Sequence, residues 1–129
     1  DDLAEDRFVF DTALNAVTNV DLIDKASFTA GGAEGVDDQI WLENSIFTNL
    51  TSTAGTQLGE LSAGMYFEGA STGNGAFDAV GIYNNTATGQ LFYNATFGVA
   101  GDSILFAAVN VAGVAGGSAV LEAPEFTLV

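Results

Sequence analysis

Short hydrophobic runs separated by glycines constrain the fold of this chain more than any other feature of its sequence. Phe8 and Phe10 alternate with Arg7 and Val9, which is the period-two spacing of a strand. Glycine occurs 16 times, mostly between such runs, where turns with positive φ are expected. The sequence predicts strands around residues 7–10, 40–42, 65–67, 80–83 and 91–93.

This pattern predicts an all-β protein, a single β-sandwich or β-roll-like domain over residues 1–129 with short strands and Gly-rich turns. A chain of this length forms one domain and buries roughly two-thirds of the surface that it exposes when unfolded. Short helical turns are expected at 43–50 and 62–67. Neither segment has the hydrophobic period of a longer helix. With 48% hydrophobic residues, the chain is expected to fold.

One uncharged segment, residues 103–121, is long enough in principle to cross a bilayer. Its serines, asparagine and glycines lower the hydropathy, and valines spaced by small residues favour buried strands. We therefore predict a β-hairpin in the core and no membrane span. A sharper alternative is a strand edge that pairs with another copy of the chain, because long neutral strands pair readily unless they are covered.

Charge excludes several classes of partner. The chain has 17 acidic residues against Arg7 and Lys25, and its formal net charge is -15. Nucleic acid and anionic membranes are excluded as partners, because both require clustered basic residues. The acidic residues are concentrated near the N-terminus and repel one another, so salt, divalent cations or neutral packing surfaces must compensate. Two interpretations remain open: a solvated acidic surface suited to a saline medium, or a surface that binds cations.

The sequence offers little catalytic chemistry. Histidine and cysteine are both absent, which removes the commonest general base, the thiolate nucleophile and any disulfide. Asp37 with Asp38, or Glu122 with Glu125, could form a carboxylate pair for glycoside hydrolysis, but nothing in the sequence places either pair across a cleft. The glycines at 31–35 lack the Lys-Ser or Lys-Thr of a phosphate loop. We therefore predict no enzymatic activity.

Five segments carry a family resemblance through their residues and their order. They are DRFVFDTAL at 6–14, NVD at 19–21, DDQIWL at 37–42, GIYNNTATGQLFYNATFGVAGDSILFA at 81–107 and APEFTLV at 123–129. Together they resemble the region that follows the calcium-binding repeats in RTX (repeats-in-toxin) proteins, which bacteria export by type I secretion. The resemblance covers about residues 5 to 129 and implies an extracellular or cell-surface bacterial domain.

The resemblance also implies calcium as a cofactor, with oxygen ligands. The residues that it nominates as metal ligands are Asp21, Asp24, Asp37 and Asp38. The alternative is that these acids are turn residues that cap local backbone groups.

Some positions depart from the family pattern. Lys25 takes the place of a second acid, and Asn94 and Thr96 stand where the family has two aspartates. A second candidate loop is flanked by Asp78, Asn94 and Asp102, where the loss of carboxylates favours the capping role.

From these observations the sequence predicts a non-enzymatic extracellular structural domain that assembles with copies of itself into a surface layer, matrix or filament, with calcium as the bridging ion. The alternative is a C-terminal capping and type I secretion module of a larger RTX-type protein. In the first interpretation as in the alternative, the resemblance implies that residues 125–129 belong to the export region. A third hypothesis is a carbohydrate-binding domain that uses the aromatic side chains of Trp41, Tyr66, Tyr83 and Tyr93.

Overall fold

The computed structural model describes residues 5–26, 28, 38–111 and 121–129. These residues form nine strands and two one-turn 3-10 helices, at Ala63–Met65 and Ala123–Glu125, and none of them lies in an α-helix. The strands are β1 (Arg7–Phe10), β2 (Asp21–Ala26), β3 (Gln39–Leu42), β4 (Gly59–Glu60), β5 (Tyr66–Gly69), β6 (Gly81–Asn85), β7 (Gln90–Asn94), β8 (Ile104–Val111) and β9 (Phe126–Leu128).

The strands form two mixed sheets. The four-stranded sheet has the order β1-β3-β9-β4, with β1, β3 and β9 parallel to one another and β4 antiparallel to β9. The five-stranded sheet has the order β2-β8-β7-β6-β5, with antiparallel pairs in its centre and a parallel pair at each edge. The sequence prediction of a β-rich chain is therefore confirmed.

The chain passes between the two sheets in a repeated manner. β1, β2 and β3 lie in the four-stranded, the five-stranded and again the four-stranded sheet. β8 and β9 repeat the step from β2 to β3, because β8 is parallel to β2 and β9 is parallel to β3. The residues between β3 and β8 supply the remaining strands, β4 to β7.

Hydrophobic side chains from both sheets form one buried cluster. Ile40 and Leu42 of β3 belong to this cluster, whereas Trp41 between them does not, as the period of two requires. The ring of Phe106 in β8 lies 5.2 Å from that of Phe10 in β1 and 5.3 Å from that of Phe47. Edge-on aromatic contacts of this kind join the two sheets.

The predicted strands agree with the observed ones at all five positions. The run at 65–67 differs in detail, because Met65 ends a 3-10 helix and the strand begins at Tyr66. That helix is the turn expected within 62–67. The turn expected within 43–50 also forms, since the backbone N–H of Phe47 donates to the carbonyl of Glu43 at 3.0 Å.

The uncharged segment at 103–121 is described only in part. Its residues Ile104–Val111 form the strand β8, whereas residues 112–120 lie outside the described ranges, so the core hairpin stays a prediction. β8 is not a sheet edge, because it pairs with β2 on one side and β7 on the other. Among the described strands, the sheet edges are β1, β2, β4 and β5. Among the residues described, none belongs to a helix long and apolar enough to cross a membrane.

The turn between β6 and β7 depends on Gly89. Its φ is +72°, in the left-handed region, and a Cβ there would lie 2.4 Å from the carbonyl oxygen of Val109 in β8. The carbonyl of Gly89 also accepts the N–H of Val109 at 2.8 Å. The glycine thus permits both the turn and the close approach of β8.

We expect Gly89→Ala to destabilise the fold by about 3 kcal/mol, because strain at positive φ and a backbone clash act together. Gly55→Ala is the matched control, since Gly55 has φ +74° but nothing within 4 Å of the added Cβ, and its cost should be only about 1 kcal/mol. Urea unfolding monitored by circular dichroism measures both values. Equal losses of unfolding free energy in the two variants would show that the close contact between residue 89 and β8 does not contribute to the cost.

Candidate functional site

The three described acids among the nominated metal ligands are divided between β2 of the five-stranded sheet and the start of the four-stranded sheet. Asp21 and Asp24 are exposed and lie within β2, in a strand and not in a turn. Asp38 directly precedes β3 of the four-stranded sheet. Asp37 lies outside the described residues, so the four-residue calcium site stays a prediction. Within the described part of the chain, no three acidic side chains group as metal ligands.

Asp38 has a clear structural contact. Its side chain is 4% exposed, and its Oδ1 accepts the backbone N–H of Asp6 at 3.0 Å. The N–H of Gln39 donates in turn to the carbonyl of Asp6 at 2.8 Å. These bonds align the start of β1 with the start of β3. A buried carboxylate that accepts a backbone N–H is the capping role that the sequence left open for this residue.

The edge strands of the two sheets border a common cleft. β1 ends the four-stranded sheet and β2 ends the five-stranded sheet. Between them lies a cleft of about 330 Å³, lined by Phe8, Val9, Phe10, Asp21, Leu22 and Ile23. Val9 is 50% exposed and Leu22 is 63% exposed. Hydrophobic side chains on two neighbouring strand edges are typical of surfaces that pair with another chain.

Two polar loops, residues 70–80 and 95–103, meet beyond the ends of β5 and β7. Ser103 joins them, since its hydroxyl donates to the carbonyl of Thr72 at 2.5 Å and its N–H donates to Oδ1 of Asn74 at 3.1 Å. Asn94, which is buried, donates its side-chain amide to the carbonyls of Asp78 and Ala79. The capping role expected here is therefore present at Asn94.

Asp102 is the carboxylate in these loops with spare hydrogen-bonding capacity. Its Oδ2 accepts the hydroxyl of Thr96, whereas its Oδ1 is buried and has no hydrogen-bond partner among the described residues. A buried oxygen of this kind is satisfied in proteins by water or a cation, and carboxylate and hydroxyl oxygens are suitable calcium ligands. The residues at this position are therefore chemically compatible with calcium.

The same two loops expose aromatic side chains that the sequence analysis did not single out. Phe77 is 87% exposed, and Phe97 is 65% exposed. Each of the two could have been found from the sequence, because each is an aromatic residue within a stretch otherwise rich in Gly, Ala and Thr.

The four aromatic residues of the carbohydrate hypothesis do not form one surface platform. Tyr83 and Tyr93 are buried, and the hydroxyl of Tyr83 donates to the carbonyl of Ala79. Tyr66 packs against Phe126, with ring centroids 5.4 Å apart. Trp41 is half-buried and lies beneath the guanidinium of Arg7, whose Cζ is 4.6 Å from the ring centroid.

The hydroxyl of Tyr66 lies close to the negative charges of Glu68 and Glu125. It accepts the side-chain amide of Asn84 at 3.0 Å and donates to Oε1 of Glu68 at 3.2 Å. Burial raises the pKa of Tyr66 well above its ordinary value, against the opposing effect of the Asn84 hydrogen bond, and the charges of Glu68 and Glu125 raise the pKa further. The phenol is therefore held in its neutral form.

Comparison of the chain with protein-family models, curated proteins and solved structures finds no match.

Tyr66→Phe should reduce the loss of stability at alkaline pH. The folded pKa lies above the unfolded value of about 10, so stability from the neutral phenol is complete below about pH 10 and falls as pH rises further. Above that pH the wild type should lose up to about 1.4 kcal/mol more per pH unit than the variant. Urea unfolding from about pH 8 to about pH 11 measures both slopes; parallel slopes would contradict the assignment.

Proposed function

We propose that this chain is a non-enzymatic, extracellular structural domain of a bacterium that assembles with copies of itself into a surface layer, matrix or filament. The observation that carries the proposal is the cleft between β1 and β2, where both sheets present an edge strand. An edge strand offers unpaired N–H and C=O groups to another chain. Val9 and Leu22 add apolar surface that water covers in the isolated chain.

We further propose that the two sheets pack as a β-sandwich with a roll-like chain path. The contact between Phe10 and Phe106 supports face-to-face packing, because the two rings belong to different sheets. The alternation from β1 to β2 to β3, repeated by β8 and β9, supports the roll-like path. A roll of this kind ends in a pair of strands, one from each sheet, so its free end presents two edges to a partner.

Assembly must overcome charge repulsion, because each copy has a formal net charge of -15. Asp21 borders the cleft, and Asp24 is exposed on the same strand. Calcium between carboxylates of neighbouring copies would neutralise this repulsion where the edges meet. We therefore propose that calcium acts at the contact between copies, and that Asp21 and Asp24 supply carboxylate oxygens to it.

The second candidate is a capping and type I secretion module of a larger RTX-type protein. The parallel pairing of β1 with β3 and of β2 with β8 favours it, since a preceding coil could add to β1 and β2 in the same direction. Its export region would include residues 125–129. β9 is buried and has a neighbour on each side, so the type I machinery would recognise this segment before the chain folds.

The assembly proposal predicts that Val9→Lys combined with Leu22→Lys abolishes ordered assemblies. Lysine at a strand edge opposes pairing with another chain, and both side chains are exposed, so the fold should remain intact. Electron microscopy and analytical ultracentrifugation, with millimolar calcium and after chelation, measure the effect. The wild type should form ordered assemblies with calcium and lose them on chelation.

Val99→Lys is the matched control, because Val99 is 47% exposed but lies in the loop at 95–103 and does not line the cleft between β1 and β2. This variant should assemble like the wild type. If the wild type stays monomeric at high concentration with calcium, self-assembly is wrong and the capping module becomes the better function.

A separate prediction concerns the ion. Asp21→Asn combined with Asp24→Asn should raise the calcium concentration needed for assembly by about tenfold, because each change removes a charged ligand. Asp11→Asn combined with Glu60→Gln is the control, since it removes equal charge from exposed positions outside β2. Light scattering during a calcium titration gives the midpoint. Equal shifts in both variants would mean that calcium acts only through the net charge.

A further inference from the structure

A second concavity lies apart from the cleft between β1 and β2. It is an open pocket of about 510 Å³ lined by Ala63, Tyr66, Glu68, Leu121, Glu122, Ala123 and Pro124. Tyr66 and Glu68 belong to β5, which is the edge of the five-stranded sheet opposite β2. The volume lies within the range of small-molecule sites in proteins, which combine apolar walls with a few polar groups.

The lining combines an apolar wall with negative charge. Leu121, Ala123 and Pro124 supply the wall, whereas Glu68 and Glu122 supply carboxylates, and no basic residue belongs to the described lining. Behind the wall, the carboxylate of Glu125 is 2% exposed and its Oε2 accepts the N–H of Glu122 at 2.5 Å. This bond holds the 3-10 helix that carries the wall in place.

The aromatic ring of Tyr66 gives the pocket a further contact for a positively charged group. The hydroxyl of Tyr66 is already engaged by Asn84 and Glu68, which hold the ring in one orientation. An aromatic ring in the pocket lining attracts a cation through its π electrons. The charges of Glu68 and Glu125 lie close enough to the phenol to raise the pKa of Tyr66 in addition to the effect of burial.

We propose that this pocket binds an organic cation, an ammonium or guanidinium group on a short apolar stem. The apolar wall contacts the stem, Glu68 pairs with the charged head, and the ring of Tyr66 contacts the head or the adjoining methylene. Calcium fits this pocket less well, because it requires six to eight oxygen ligands, whereas much of this lining is hydrocarbon. The proposal is independent of self-assembly, since it concerns the sheet edge opposite β2.

The test is a titration of the full chain with butylammonium chloride, followed by NMR of the Tyr66 ring and by calorimetry. We expect saturable binding with a shift of the Tyr66 signals. N-acetyl-lysine methylamide, titrated in parallel, presents the same ammonium on a peptide unit. Tighter binding of butylammonium identifies a small amine as the ligand type, and tighter binding of the blocked lysine identifies a protein side chain; either result supports the site.

Variants separate the pocket from general charge attraction. Glu68→Gln should weaken butylammonium binding about five- to tenfold, because it removes the paired charge from a partly solvated site. Glu60→Gln is the matched control, since Glu60 is an exposed acid on β4 that does not line the pocket, and it should bind like the wild type. Ala63→Leu leaves the charge unchanged but fills part of the pocket, so it should also weaken binding.

Three results would overturn the proposal. The first is no saturable binding of either cation at tens of millimolar. The second is equal binding of neutral butanol, which would show that charge plays no part. The third is equal weakening by Glu60→Gln and Glu68→Gln, which would show that the cations only screen the net charge.

Discussion

The parallel pairing of β8 with β2 and of β9 with β3 is the constraint on which the rest of the structure depends. It joins the N-terminal strands to the C-terminal ones and places the residues between β3 and β8 as an extension of the same two sheets. Gly89 permits the turn of β6 and β7 to approach β8. Phe106 of β8 contacts Phe10 of β1, so the pairing also completes the shared core. Without β8 and β9, β2 would lose the one neighbour described for it, and β3 would keep only β1.

This pairing also determines which surfaces are free. Because β8 and β9 occupy interior positions, the edges formed by the described strands are β1 and β2 on one side and β4 and β5 on the other. The first pair borders the cleft with Val9 and Leu22, and β5 contributes Tyr66 and Glu68 to the acidic pocket. The two proposed binding surfaces therefore lie at opposite sheet edges, where each can take a partner without disturbing the other.

The candidate sites were only partly predictable. The resemblance nominated four acids, of which the structure describes Asp21 and Asp24 on an exposed strand and Asp38 in a buried capping contact. Spacing along the chain did not distinguish these environments, because burial depends on which strands come together. The cleft at Leu22 was missed, since a leucine in a strand is normally expected to face the core. The pocket was missed because residues 63–68 and 121–124 are far apart in sequence.

The sequence by itself determined the β-rich class of the fold and the positions of five of the nine described strands, because hydrophobic period and glycine placement are local properties of the chain. It also determined the excess of negative charge and the absence of histidine and cysteine chemistry. Only the tertiary structure decided that the neutral strand β8 lies inside a sheet and that β1 and β2 lie at the edges. The reason is physical: strand pairing is a long-range interaction, and the period of a strand carries no information about its neighbours.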